Sequence, residues 1–326
     1  MNKGLVTVFG GSGFLGKHVV RALVARGYRV RIPMRRPHTG MDLKVIGSVG
    51  QVQLMQANLR YEDSVARAIE GADAVINLVA VLYEQGQQNF EALHVKGAET
   101  LAKSAAAAHV ENFVHVSAIG ADVNSESDYA RTKGEGEALI RKHVPKADIM
   151  RPSIVFGIED QFFNRFAAMA QMAPALPLIG GGQTKFQPVY VADVAEAIAM
   201  SIENGASGKT YELGGPRTYS FKELLQYMLE VIAKKRFLIP VPWLGANMLG
   251  AVGEVSGSLP FVSPFLTRDQ VKNLKVDNVV SPDALSFDDL GIVPETIESI
   301  VPTYLGKYRK YGEFHQPGKD SWPEDA

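Results

Sequence analysis

Apolar residues along this chain fall into two alternating rhythms. Short runs with few polar positions, at 5–9, 28–34, 51–55, 74–80, 110–117 and 147–152, read as strands. The run at 74–80 is apolar almost throughout, as a parallel strand buried on both faces requires. Between the runs lie stretches of helical spacing. After residue 16, Val19, Val20, Leu23 and Val24 line one face, Lys17, Arg21 and Arg26 the other, and Gly27 ends the element. Segments 62–70 and 90–109 read likewise, the second rich in alanine. This alternation predicts the α/β class, a doubly wound parallel sheet with right-handed crossovers.

Beyond Gly157 the rhythm changes. Methionine, proline and glycine crowd 169–182, which reads as loop, and a helix at 191–203 is expected to return to the sheet. From 209 onward short strands mix with helices such as 221–234, which predicts a smaller C-terminal lid domain. The expected division is 1–157, with helix 191–203 added to it, and 158–326. Residues 237–249, continued by 259–266, are unusually apolar, and Pro240 and Pro242 forbid a regular spanning helix there. The expected role is lid core; the other reading is a docking face for a partner or a membrane surface. The basic and aromatic residues at 304–311 read as a solvated terminal helix, with lipid headgroups or an acidic partner as the other reading, and 315–326 as a tail.

Composition narrows the function. With 34 basic and 35 acidic residues in 326, no global field attracts nucleic acid. Cysteine is absent, so a disulfide, a thiol nucleophile and a thiolate metal site are excluded, and no metal is expected. No apolar run reaches the length of a membrane span, so membrane contact is expected to be peripheral at most. The first strand begins close to Met1, so no signal or transit segment is expected.

The first strand breaks into Gly10, Gly11, Ser12, Gly13, Phe14, Leu15 and Gly16. Here Gly10 suits a tight turn, Gly13 a close approach of backbone to a pyrophosphate, and Gly16 the packing of the new helix against the sheet. The N-terminus of that helix offers free N–H groups and positive dipole to phosphates. This is the Rossmann arrangement for a dinucleotide. The second strand ends in Arg35 and Arg36, with no carboxylate before Asp42. Paired guanidiniums suit a ribose 2′-phosphate, so NADP(H), and NADPH in particular, is expected rather than NAD(H). Asn58 and Leu59 follow the third strand, where such folds hold adenine. Val79 and Ala80 at the end of the fourth strand, and Pro152, Ser153 and Val155 about the end of the sixth, complete the expected lining.

Candidate chemistry follows the fifth strand. Tyr129 and Lys133 lie one helical turn apart, and Ser117 stands at the strand's carboxyl end. Such a trio suits hydride transfer. Tyr129 would exchange the substrate proton, Lys133 would hold the ribose and depress the phenol, and Ser117 would orient the substrate oxygen. A free phenol titrates near ~10 and a useful one near ~7, a demand of about 4 kcal/mol on local electrostatics.

Gly10-x-x-Gly13-x-x-Gly16, Tyr129-x-x-x-Lys133, Arg-Pro-Ser-Ile-Val-Phe-Gly at 151–157 and Pro-Val-Tyr-Val-Ala-Asp-Val-Ala at 188–195 together resemble the extended and atypical short-chain dehydrogenase/reductase superfamily. Within it, residues 7–16, 75–78 and 187–191, and above all Pro-Phe-Leu-Thr-Arg-Asp-Gln-Val at 264–271 with Phe-Asp-Asp-Leu-Gly-Ile at 287–292, resemble the NADPH-binding accessory subunits of respiratory complex I. That resemblance implies NADPH held in the peripheral arm near the membrane junction, for structure or assembly rather than turnover, with other peripheral-arm subunits as partners. Together with the expected lack of a presequence it implies a bacterial version or a close free-standing bacterial relative, with the expected location cytoplasmic and peripheral on the cytoplasmic face of the inner membrane. Two departures argue against sugar-nucleotide chemistry: the short interval between Ser117 and Tyr129, and His94 where such relatives carry asparagine before Val-x-Gly. His94 is read as a surface or packing residue. The alternative functions are a free-standing NADP(H)-dependent reductase or epimerase using Ser117, Tyr129 and Lys133 on an unknown small molecule, and a sensor of the NADPH pool.

Overall fold

A computed structural model describes residues 3–257 and 264–314. Seven parallel strands form the central sheet: β1 (Leu5–Phe9), β2 (Arg29–Met34), β3 (Val52–Gln56), β4 (Ala74–Asn77), β5 (Phe113–Val116), β6 (Asp148–Pro152) and β7 (Thr210–Leu213). Their spatial order is β3-β2-β1-β4-β5-β6-β7, so the direction of winding reverses between β1 and β4. Alternate residues of each strand enter opposite layers. Val6, Val8, Ile76, Val114 and Met150 pack with Val19, Val20 and Leu23 of α1 (Phe14–Ala25). Phe9, Val75, Phe113 and Ile149 pack on the other face with helices α2 (Glu62–Ile69), α3 (Gly97–Ala107) and α4 (Asp128–His143). Burial on both faces explains why these strands are apolar without alternation.

The C-terminal residues surround a second core. It is built from α5 (Phe163–Met172), α7 (Phe221–Val231), α9 (Arg268–Asn273) and α10 (Ile297–Leu305), with Phe156, Phe163, Leu224, Met228, Val271 and Val301 buried in it. Helix α6 (Val191–Asn204) packs in the α1 layer of the sheet.

Five expectations need correction. Residues 169–182 are not loop throughout: α5 runs to Met172, and Ala175–Ile179 is a strand paired in parallel with Phe237–Val241. Pro177 and Pro240 are tolerated because, among the described residues, this ribbon has two strands, each with a free edge. Residues 210–213, read with the C-terminal part, form the edge strand β7, held where buried Glu212 meets Arg151 of β6. The helix expected over 90–109 begins as a π-turn at Glu91–Lys96 before α3, and this wider turn brings His94 inside. Tyr304 is buried rather than solvated, its hydroxyl donating to Asp160 at 2.5 Å. The neighbouring Lys307 and Lys310 are exposed.

The apolar run from Phe237 is also not a simple core. Leu238 and Val241 pack inward, but Phe237 is 78% exposed and Ile239 53%. On α8 (Trp243–Gly257), Leu244, Met248 and Val252 are exposed. The cause is the inner face of α8, which uses small residues to approach its neighbour. A Cβ at Gly250 would come within 2.8 Å of the Arg268 nitrogen, and one at Gly253 would overlap the Leu266 carbonyl oxygen. Leu244, Met248 and Val252 are left facing out, while Trp243 packs on the second core. Residues 259–263 of the same run and the tail at 315–326 lie outside the described residues. Among the described residues no helix is long and apolar enough to cross a membrane.

Candidate functional site

Because every strand of the sheet runs the same way, all carboxyl ends open on one edge. The loops after β1, β2, β3, β4, β5 and β6 therefore bring Gly10–Gly16, Arg35, Asn58, Val79, Ser117 and Ser153 to that edge, across the reversal point between β1 and β4. Ligands bind at such a crevice.

The glycine turn is built for a tight entry into α1. Gly10 has φ +84°, and its Cα sits against the Leu78 backbone at the end of β4, so a Cβ there would come within 3.1 Å. At Gly16 a Cβ would overlap the Gly10 carbonyl oxygen and come within 2.6 Å of the Gly11 Cα. Gly13 differs: its Cβ would meet only the Gly10 oxygen, at an ordinary 3.4 Å. The protein itself thus has no need of glycine at 13, whereas a phosphate laid on the turn does. Gly13 is the N-cap of α1 and no side chain caps that helix, so its first N–H groups face the crevice uncapped. Ser12 is exposed and Phe14 and Leu15 half-buried on the same turn.

Arg35 and Arg36 follow β2 directly, both exposed and neither with a side-chain hydrogen bond or ion pair among the described residues. Asn58 shapes its own turn, its Oδ1 accepting from Arg60 N at 3.2 Å, and Leu59 lies against Gly97. The Val79 N–H donates to Asn77 Oδ1 at 3.1 Å, and Ala80 is exposed. The Pro152 carbonyl accepts from Ile119 N at 3.1 Å. Ser153 is occupied within the protein, its Oγ donating to Asn278 Oδ1 at 2.6 Å, and Val155 pairs with Val189.

Ser117, Tyr129 and Lys133 gather around the end of β5. Lys133 is 2% exposed, and its Nζ donates to the carbonyl of Val116, next to Ser117, at 2.8 Å. Burial lowers this ammonium to about 8. The Ser117 Oγ is buried with no hydrogen-bond partner among the described residues. An orphaned hydroxyl is costly, and a polar group of a bound ligand would satisfy it. Burial raises the Tyr129 phenol to about 12. Among the described residues no side-chain bond joins Tyr129 to Ser117 or Lys133, and burial is what sets this phenol's shift.

Spacing alone did not reveal what holds Tyr129. His94 and Phe90 stack at 5.3 Å, and Tyr129 stands edge-on to both, at 5.5 and 5.8 Å. His94 is buried and bonded at both nitrogens. Nε2 accepts from Val81 N at 3.1 Å, and Nδ1 lies 3.1 Å from the Thr132 hydroxyl, whose own proton goes to the α4 backbone. The ring is therefore the neutral Nδ1–H tautomer, a packing residue rather than a surface one. Burial, with Lys133 nearby, lowers His94 from 6.5 to about 3. Between those values the unfolded chain binds a proton that the fold does not, so stability is full above pH 6.5 and falls as pH drops, by about 1.4 kcal/mol per unit for this group. Replacing His94 by Gln should lower that slope by one proton in urea melts between pH 7 and pH 5. An unchanged slope would contradict the assignment.

Three comparisons with known proteins bear on this site. The profile of the NAD dependent epimerase/dehydratase family matches residues 6–214. The chain is similar to the mitochondrial NADH dehydrogenase (ubiquinone) 1 alpha subcomplex subunit 9 of Arabidopsis thaliana, at 37% identity over 316 residues, covering 94% of this chain and 79% of the relative. It is similar at 33% identity to the mitochondrial NADH-ubiquinone oxidoreductase 40 kDa subunit of Neurospora crassa, covering 95% of this chain and 81% of that one. Among solved structures, the NADPH-dependent quinone oxidoreductase QOR2 of Escherichia coli, complexed with NADPH, superimposes with a TM-score of 0.72 at 20% identity, over 92% of this chain and 99% of that one. At that identity the likeness speaks for the fold. The expected location on the cytoplasmic face of a bacterial inner membrane is overturned, because these complex I subunits are mitochondrial proteins of eukaryotes. With the family profile matched over most of the chain and the crevice geometry in agreement, the protein is a nicotinamide-cofactor-binding member of the NAD dependent epimerase/dehydratase family.

Proposed function

We propose that this chain is an accessory subunit of respiratory complex I that holds NADP(H) as a structural ligand, with little or no turnover. The observation that carries the reading is the reach of its similarity to named complex I subunits. It spans 94% of the chain, well past residue 214 where the family profile stops, and so includes the C-terminal part that generic relatives need not share. The exposed apolar side chains of Phe237, Ile239, Leu244, Met248 and Val252 agree with it. A patch of this kind is a liability on a free enzyme and an asset on a subunit that docks. In this reading residues 1–157 with α6 hold the cofactor, and 158–326 form the lid that meets peripheral-arm partners and, peripherally, the membrane.

The cofactor would be held by Gly10–Gly16 and the first turn of α1 at the pyrophosphate, and by Arg35 and Arg36 at a 2′-phosphate. Asn58 and Leu59 would lie at adenine, and Val79, Ala80, Pro152, Ser153 and Val155 along its length. Tyr129 and Lys133 would stand at the nicotinamide ribose. When bound, a nicotinamide supplies hydride transfer. Binding to the folded state alone stabilises it in proportion to the logarithm of ligand concentration over Kd.

The orphaned Ser117 hydroxyl favours a second reading, a reductase or epimerase in which Ser117 orients a substrate oxygen and Tyr129 exchanges its proton. Tyr129→Phe separates the two. As an accessory subunit, the variant should enter complex I and retain its cofactor, and the cells should respire as before. A lost cellular function with the complex intact would favour the enzyme.

A further inference from the structure

The helix bearing Tyr129 and Lys133 is fastened at its start by a carboxylate from far along the chain. The Ser127 hydroxyl accepts from Ala130 N and donates to Asp269 Oδ2 at 2.9 Å. Asp269 also accepts from the backbone N–H of Asp128 at 2.7 Å and of Tyr129 at 3.0 Å. These are the groups a helix leaves unpaired at its N-terminus, where negative charge is also favoured by the dipole. The short helix α9 that supplies Asp269 is itself fixed by a capping box between Thr267 and Gln270. Two neighbours add to the clasp: Gln270 Nε2 donates to the Leu82 carbonyl at 3.3 Å, and Lys272 Nζ to the Glu126 carbonyl at 2.9 Å. On its other side α9 meets α8. Arg268 donates to Glu254 through its backbone N at 2.9 Å and its Nε at 2.8 Å. A continuous set of bonds therefore runs from the Tyr129 helix through Asp269 to the helix with the exposed apolar face.

We propose that Asp269 is the positioning residue of α4, and that through it NADPH binding and the ordering of the α8–α9 docking face are coupled. The proposal rests on the cofactor reading above. Ordering α9 presents Tyr129 and Lys133 in the geometry that binds the cofactor, and the bound cofactor in turn holds α9 closed. Thermodynamic linkage makes the two effects equal in size. The bound dinucleotide would then signal that the subunit is ready to dock.

The test uses the full chain, with NADPH as the probe and hydrogen exchange and binding as readouts. In the unaltered protein, NADPH should slow amide exchange both at 10–16 and at 264–273. Asp269→Asn removes the charge and leaves fewer acceptors; it should weaken NADPH roughly tenfold. It should also abolish the protection at 264–273, while saturating NADPH still protects 10–16. Ser127→Ala, which removes one donor of the three, should give a smaller loss of the same kind and serves if Asp269→Asn does not fold. An Asp269→Asn protein with a lower apo melting temperature but unchanged NADPH affinity would reduce Asp269 to a structural brace and overturn the coupling. So would NADPH-independent exchange at 264–273 in the unaltered protein. Absence of protection at 10–16 in that protein would instead sink the cofactor reading, and the coupling with it.

Discussion

Gly16→Ala is expected to leave little folded protein, whereas Gly13→Ala is expected to fold normally and lose its cofactor. The two glycines stand three residues apart in one turn, yet different neighbours constrain them. A Cβ at 16 would overlap the Gly10 carbonyl oxygen and crowd the Gly11 Cα, both backbone atoms that cannot rotate away. Relief requires α1 to move off the sheet, and α1 carries Val19, Val20 and Leu23 of the main core. Overpacking of this kind costs up to about 3 kcal/mol, and more where backbone is involved. That is a large share of the ~5–15 kcal/mol that holds a domain together. At 13 the added methyl meets nothing closer than 3.4 Å, and the φ of −81° suits alanine. In the proposed cofactor reading the methyl would stand where a pyrophosphate approaches, so NADPH affinity should fall by about a hundredfold with the melting temperature of the apo protein nearly unchanged. Thermal melts with and without NADPH, run on both variants, check this. Equal destabilisation by the two would show that the turn is purely structural.

Replacing both Arg35 and Arg36 by Ala should weaken NADPH about a hundredfold and leave NADH within about threefold, since each charge-assisted bond to a 2′-phosphate is worth roughly 1.5–3 kcal/mol. Neither guanidinium has another partner among the described residues, so their loss should not disturb the fold. Titration of both nucleotides against the double variant is the check. Equal losses for NADPH and NADH would mean that these arginines do not read the phosphate.

The sheet was legible in the sequence for a physical reason. A parallel strand covered on both faces must be apolar at successive positions, and 74–77 and 113–116 announce themselves that way. The place of β7 at the edge of the main sheet was not legible, because its buried Glu212 depends on Arg151 of the neighbouring strand and on the Ser281 N–H, partners that local pattern cannot show. Pro177 and Pro240 hid the outer ribbon, since proline argues against a strand until the free edge is known. The apolar residues of α8 were visible but their direction was not. Only the close approach at Gly250 and Gly253 shows that the small residues face in.

Around the crevice, the geometry set by local spacing was readable: a glycine turn leading into α1, two arginines directly after β2, and Tyr129 and Lys133 one turn apart on α4. What surrounds them was not. His94 and Phe90 reach Tyr129 from another helix, Asn278 occupies Ser153 from more than a hundred residues away, and Asp269 caps α4 across a similar distance. The one sequence signal for Asp269 was its place in the distinctive 264–271 motif, whose role appears only in three dimensions.

The central claim is tested most directly by isolating complex I from cells that make this chain and measuring both its subunits and the nucleotide released on denaturation. The account predicts the chain in stoichiometric amount, with NADP(H) released in equal proportion. Recovery of the chain only in fractions free of complex I would contradict it.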